Sequence, residues 1–120
     1  MPDHARAMIV TGASSGIGRA LATAAAGAGF YVLLVARRAE RLDETASAIR
    51  TAGGTCGTLA LDVTARDAAA RIVDAATRAF GRIDVVVNNA GAGAYGELLA
   101  QSDAAVDAQW QLHVAAPLRI

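Results

Sequence analysis

The chain has 120 residues, of which 54% are hydrophobic and 18% charged, and its 11 basic and 11 acidic side chains cancel to a formal net charge of zero. That balance excludes a disordered or collagen-like chain, and with no basic stripe or acidic run there is nothing to hold a nucleic acid. No apolar run reaches the length of a membrane span, the segment Met1 to Ala7 is polar, and a cytoplasmic location is expected.

Residues 1–120 read as one domain in which strands and helices alternate. Ala7 to Val10 is a short apolar run, predicted as the first strand. Thr11-Gly12-Ala13-Ser14-Ser15-Gly16-Ile17-Gly18 follows and opens a helix with apolar positions Ile17, Leu21, Ala24, Ala25 and Ala28, stopped by Gly27 and Gly29. Phe30 to Ala36 is continuously apolar, as a strand buried on both faces should be. The second helix carries Leu42, Ala46 and Ile49 on one face and closes at Gly53-Gly54. A third strand from Thr55 to Val63 precedes a helix with N-cap Thr64, inward residues Ala69, Ile72, Val73, Ala76 and Phe80, and a stop at Gly81. Ile83 to Val87 is the fourth strand and Asn88 to Gly96 a loop. A last helix, capped by Ser102 or Asp103, bears Val106, Trp110, Val114 and Leu118. The order is that of a Rossmann-like, doubly wound parallel α/β sheet with right-handed crossovers.

The glycine-rich stretch between first strand and first helix suits a diphosphate. Backbone N–H groups at a helix N-terminus favour an anion. Gly12 makes the turn out of the strand, Gly16 allows close approach, Gly18 lets the helix pack on the sheet, and Ser14 and Ser15 add hydroxyl donors. The spacing is Gly-x-x-x-Gly-x-Gly, and no Lys-Ser/Thr follows, so it is not a P-loop. At the end of the second strand stand Arg37 and Arg38 with no acid, which favours NADP(H) over NAD(H), because an arginine fork pairs with a 2'-phosphate. A solvated helix start is the alternative. Asp62-Val63 ends the third strand where ligands meet α/β sheets, although Asp62 is equally an ordinary capping residue. The single cysteine, Cys56, lies in a strand-like run without a nearby base, and a buried, inert thiol is expected.

Thr-Gly-Ala-Ser-Ser-Gly-Ile-Gly, Ala36-Arg37-Arg38, Asp62-Val63 and Asn88-Asn89-Ala90-Gly91, each at a predicted strand end, together resemble the short-chain dehydrogenase/reductase family. The resemblance implies hydride transfer between a nicotinamide cofactor and a carbonyl or alcohol. It implies Gly12, Ser14, Ser15, Gly16, Ile17 and Gly18 at the diphosphate, Arg37 and Arg38 at the 2'-phosphate, Asp62 and Val63 at adenine, and Asn89, Ala90 and Gly91 at the ribose. No metal is implied, and a homo-oligomer is expected for the complete enzyme, with the last helix in a subunit interface.

Members of the family are about twice this length, so the chain reads as the N-terminal half of the domain, truncated after four strands and the start of a long helix. The family's catalytic Ser and Tyr-x-x-x-Lys pair have no counterpart, and the sequence contains no lysine. Tyr31 reads as strand filler and Tyr95 as loop. His113 stands where the family has a catalytic Asn, and Pro117 cannot donate to its carbonyl, which would leave that carbonyl free for a proton relay that the imidazole joins. A histidine satisfied by its neighbours is the alternative. Two functions stay open: the cofactor-binding half of an NADP(H)-dependent oxidoreductase, inactive alone, or a non-catalytic nucleotide-binding module.

Overall fold

The computed structural model describes residues 5–90 and 103–120. In chain order the elements are β1 (Ala7–Thr11), α1 (Gly16–Gly27), β2 (Tyr31–Ala36), α2 (Ala39–Thr51), β3 (Thr55–Ala60), α3 (Ala68–Phe80) and β4 (Val85–Val87). A final helical stretch consists of α4 (Asp103–Trp110), one π-helical turn (Gln111–Ala115) and α5 (Ala116–Arg119). All strand pairs are parallel, in the order β3-β2-β1-β4. The chain therefore steps outward from β1 to β3, then returns to lay β4 on the other side of β1. That reversal opens a crevice at the C-terminal ends of β1 and β4, where open α/β sheets take ligands.

Both β1 and β2 are buried along their whole length, because helices cover both faces of the sheet. Met8, Val10, Val32 and Leu34 pack with Ala22 and Ala25 of α1 and Leu42, Ala46 and Ile49 of α2. The alternate residues Ile9, Leu33 and Val35 pack with Ile72 and Ala76 of α3 and Ala116 of α5. Each strand thus serves two cores through its period of two. Among the described residues no helix is long and apolar enough to cross a membrane.

Helix α1 buries a different face from the one its larger apolar residues suggest. Gly18, Ala22, Ala25 and Ala26 face the sheet, whereas Ile17 is 79% exposed and Leu21, Ala24 and Ala28 lie at the surface. Small side chains let the helix approach the sheet closely, so size rather than hydropathy selects the inward face. In α3 the inward residues are Ala68, Ile72 and Ala76, with Phe80 and Ala69 half-buried and Val73 turned outward.

Helix α3 also starts later than Thr64. The Thr64 amide and hydroxyl both donate to Asp62 Oδ1, at 2.9 and 2.7 Å, a local turn that holds the chain out of the helix until Ala68. Strand β3 is shorter than its apolar run because pairing stops where β2 stops, with Ala60 opposite Ala36; β4 is also shorter, pairing only with Met8 to Val10 of β1.

Cys56 is buried, its Sγ–H reaching the Ala46 carbonyl at 3.7 Å, and burial pushes its thiol pKa up. A basic neighbour is nevertheless present: Arg50 Nη2 donates to the Cys56 carbonyl at 3.1 Å, and its charge opposes the effect of burial without overcoming it. Tyr31 is core filler, its ring 5.7 Å from that of Phe80.

The N-terminal end of β1 is fastened to the approach of β4 by Asp84. Its Oδ2 accepts from the Ala7 amide and from Arg82 Nε, both at 2.8 Å, and Oδ1 accepts from Arg82 Nη2 at 2.7 Å. The Arg82 guanidinium, and after it the Ala7 amide, hold the Asp84 carboxyl below the usual carboxylate range. A folded pKa below the unfolded one adds stability above the unfolded value, and that stability is lost as pH falls through the folded value. Asp84→Asn is therefore expected to melt below the parent at neutral pH, the gap closing as the solution is acidified below about pH 4. Circular dichroism melts across that range check this; a gap independent of pH would show that ionisation of Asp84 plays no part.

Candidate functional site

The loops leaving β1 and β4 interlock. Thr11, the buried last residue of β1, accepts the amide hydrogens of Asn89 and Ala90 on its Oγ1, both at 3.0 Å, and its hydroxyl donates to the Val87 carbonyl at 3.4 Å. Asn89 Nδ2 in turn donates to the Gly12 carbonyl at 3.3 Å. Gly12 has φ +65°, and a Cβ there would lie 2.9 Å from Ala90 Cα. A Cβ on Gly18 would collide with the Gly12 carbonyl oxygen and with Asn89 Nδ2. These two glycines are small because backbone meets backbone. Gly16 is different: nothing lies near it, and its φ of +57° is what calls for glycine.

Beside the interlock lies a cleft of about 650 Å³. It is lined by the sequence-predicted Gly12, Ser14, Ser15, Gly16 and Ile17, by Arg37 and Arg38, and by Asn89. Helix α1 begins there with no side-chain cap and no acid in its first turn, so its leading N–H groups have no partner from either source. Ile17, turned away from the core, forms part of the cleft wall.

Two lining residues were not legible as site residues: Ala36, the last residue of β2, and Arg41. The one signal for Arg41 is its place in the first turn of α2, just after the two arginines that follow β2. Thr11 was legible only as the first letter of the glycine motif; its signal is a hydroxyl at the end of a fully buried strand.

Asp62 and Val63 do not line this cleft. Val63 is buried in the α3-side core. Asp62 is exposed, and its carboxyl is held below the usual range by the Thr64 hydroxyl first, then the Thr64 amide, with a smaller contribution from the charge of Arg37. Ala90 packs at the edge of the α3-side core. Gly91, Tyr95 and Ser102 lie outside the described residues. His113 sits in the π-helical turn, where the Ala116 amide bonds to the Gln111 carbonyl. The helix is thus widened over one turn just before Pro117, which itself has no N–H to donate.

A family model for short chain dehydrogenase matches residues 6–120. A short chain dehydrogenase of Pseudocercospora fijiensis is 41% identical over 105 residues, covering 88% of this chain and 34% of that relative. A metagenomic short-chain oxidoreductase in complex with NADP aligns with a TM-score of 0.90 at 38% identity, over 95% of this chain and 52% of that one. A short chain dehydrogenase/reductase from Burkholderia phymatum in complex with NAD aligns with a TM-score of 0.92 at 30% identity, over 96% of this chain and 41% of that one. The chain thus spans between 34% and 52% of the length of these three proteins.

Replacing Thr11 by Val keeps the shape and strips the Ala90 amide of its acceptor, while the Asn89 amide keeps the Val87 carbonyl at 3.1 Å. We expect Thr11→Val to cost about 1–3 kcal/mol, the cost of an orphaned donor that water does not reach, and Thr11→Ser to cost less. Equilibrium unfolding checks the order; equal losses would show that the hydroxyl does not matter. By the same method Gly18→Ala should lose more stability than Gly16→Ala, since only the former drives a methyl into backbone.

Proposed function

The chain belongs to the short chain dehydrogenase family, and we propose that its residues 1–120 form the NADP(H)-binding part of an oxidoreductase that moves hydride between the nicotinamide and a carbonyl or alcohol. The observation that carries this reading is the charge of the cleft: Arg37 and Arg38 line it, and no described Asp or Glu does. An NAD site needs an acid near the end of β2 to bind the ribose 2'-hydroxyl, and that acid would repel a 2'-phosphate. A guanidinium fork suits the phosphate. The fold does not decide the matter, since one similar protein was solved with NADP and another with NAD.

The residues fit a dinucleotide. The space kept free at Gly16, the amides opening α1 and the hydroxyls of Ser14 and Ser15 would hold the diphosphate, with Gly12 and Gly18 setting the loop and Ile17 beside it. Asp62 Oδ2 makes no hydrogen bond among the described residues and would accept from the adenine amino group, with the Val63 backbone alongside. Asn89, Ala90 and Gly91 would border the ribose. When bound, the nicotinamide supplies the hydride chemistry. We place His113 at the position of the family's Asn, in a π turn of the kind that accompanies functional sites, with its imidazole in a proton relay. Trp110 and Leu118, 59% and 82% exposed, provide an apolar surface suited to a homo-oligomer of the complete, cytoplasmic enzyme.

A second reading, a nucleotide-binding module without turnover, is favoured by one observation: among the described residues the cleft is lined by glycines, hydroxyls, an amide and guanidinium groups, which bind phosphate, and by no Tyr, His, Asp or Glu that would exchange a proton with substrate.

Titration with NADPH and NADH tests the first reading. NADPH should bind about ten- to a hundredfold more tightly, the difference made by charge-assisted bonds to one phosphate, and Arg37→Asp should remove the preference. Equal or tighter binding of NADH would overturn it. Oxidation of NADPH by this chain in the presence of ketones would exclude the binding-only alternative.

A further inference from the structure

Arg41 has no part in the reading above, yet it lines the same cleft as Arg37 and Arg38. We propose that Arg41 is a third phosphate-binding cation of the cleft and a determinant of NADP(H) preference. The inference rests on the NADP(H) reading.

Helix α2 sorts its charges. Arg38 is its N-cap residue and Arg41 the third residue of its first turn, both on the cleft side, whereas Glu40, Asp43 and Glu44 border a separate depression with Ser47 and Thr51. Glu44 follows Arg41 by three residues, within reach of a helical ion pair. None forms. Among the described residues the ion pairs are Arg78–Asp74 and Arg82–Asp84, so the three cleft arginines have no carboxylate within salt-bridge distance. Arg37 at least feels the charge of Asp62.

The placement of Arg41 works against the empty protein. Positive charge near a helix N-terminus opposes the helix dipole, and Arg41 shares its cleft with two further cations, Arg37 and Arg38. Helix α2 also starts with no side-chain cap, leaving its first amides without that partner beside the guanidinium groups. A dianion at this point answers all of these at once. It takes forked N–H pairs from more than one arginine and the free amides of the helix, and it neutralises the repulsion. Of the phosphate groups of a dinucleotide, the 2'-phosphate is the one met by the end of β2 and the start of α2; the diphosphate is met by α1.

The test uses the full chain and two probes that differ by one phosphate: adenosine 2',5'-bisphosphate and adenosine 5'-monophosphate. Arg41→Gln should weaken the bisphosphate about tenfold, as loss of one charge-assisted contact at a partly solvated site would, and change the monophosphate less than twofold. Arg41→Lys should recover part of the loss, because a point charge lacks the fork. Without ligand, Arg41→Gln should melt at or above the parent temperature, whereas a merely structural arginine would lower it. An unchanged bisphosphate affinity in Arg41→Gln, with a loss in Arg38→Gln, overturns the role of Arg41 and leaves the NADP(H) reading standing. Equal weakening of both probes overturns it as well. A parent chain that does not prefer the bisphosphate removes both.

Discussion

One hydroxyl joins the two strand ends beside which the cleft opens. Thr11 Oγ1 receives two amides from the segment after β4 and returns its own hydrogen to the Val87 carbonyl. Amides turned inward need acceptors, and beyond the Val87 carbonyl that Asn89 reaches the ladder offers none, because β4 pairs with β1 only from Met8 to Val10. The side chain takes over where the ladder ends. With the two loops drawn together, Gly12 faces Ala90 and Gly18 faces Asn89 at distances that leave no room for a β-carbon. The course of the glycine loop is thus set from outside, by a segment more than 70 residues later in the chain.

Opposite that rigid wall stands a charged one. Arg37, Arg38 and Arg41 meet at the junction of β2 and α2 without a carboxylate in salt-bridge range among the described residues. Unpaired surface cations cost little in water, where screening is strong, but three at one helix start oppose both each other and the helix dipole. Elsewhere the chain pairs its charges in the ordinary way, as Arg82 does with Asp84 where β1 meets β4. The contrast separates the arginine that secures the fold from the three that line the cleft.

Much of this was legible in the residues. The apolar runs gave four strands, the glycine stops gave the helix ends, and the motifs at the strand ends gave the family. Legibility failed where side-chain size or partner length decided. Ile17 and Leu21 are the largest apolar residues of α1 and both lie outside its buried face, because Gly18, Ala22, Ala25 and Ala26 fit closer to the sheet. The strand-like run Thr55 to Val63 pairs only to Ala60, since β2 offers nothing beyond Ala36. Asp62, a capping residue by type, turns its carboxylate to Thr64, and the helix waits until Ala68.

The sequence by itself determined the alternation of strands and helices, the glycine turn that opens α1, and the basic end of β2. These depend on local pattern, dipole and charge, which neighbouring residues carry without help. Only the tertiary structure decided that β4 returns beside β1, that Thr11 and Asn89 brace the loop, that Val63 belongs to the core and that Arg41 joins the other two arginines. Each of those depends on which distant backbone a residue meets, and spacing along the chain does not hold that information.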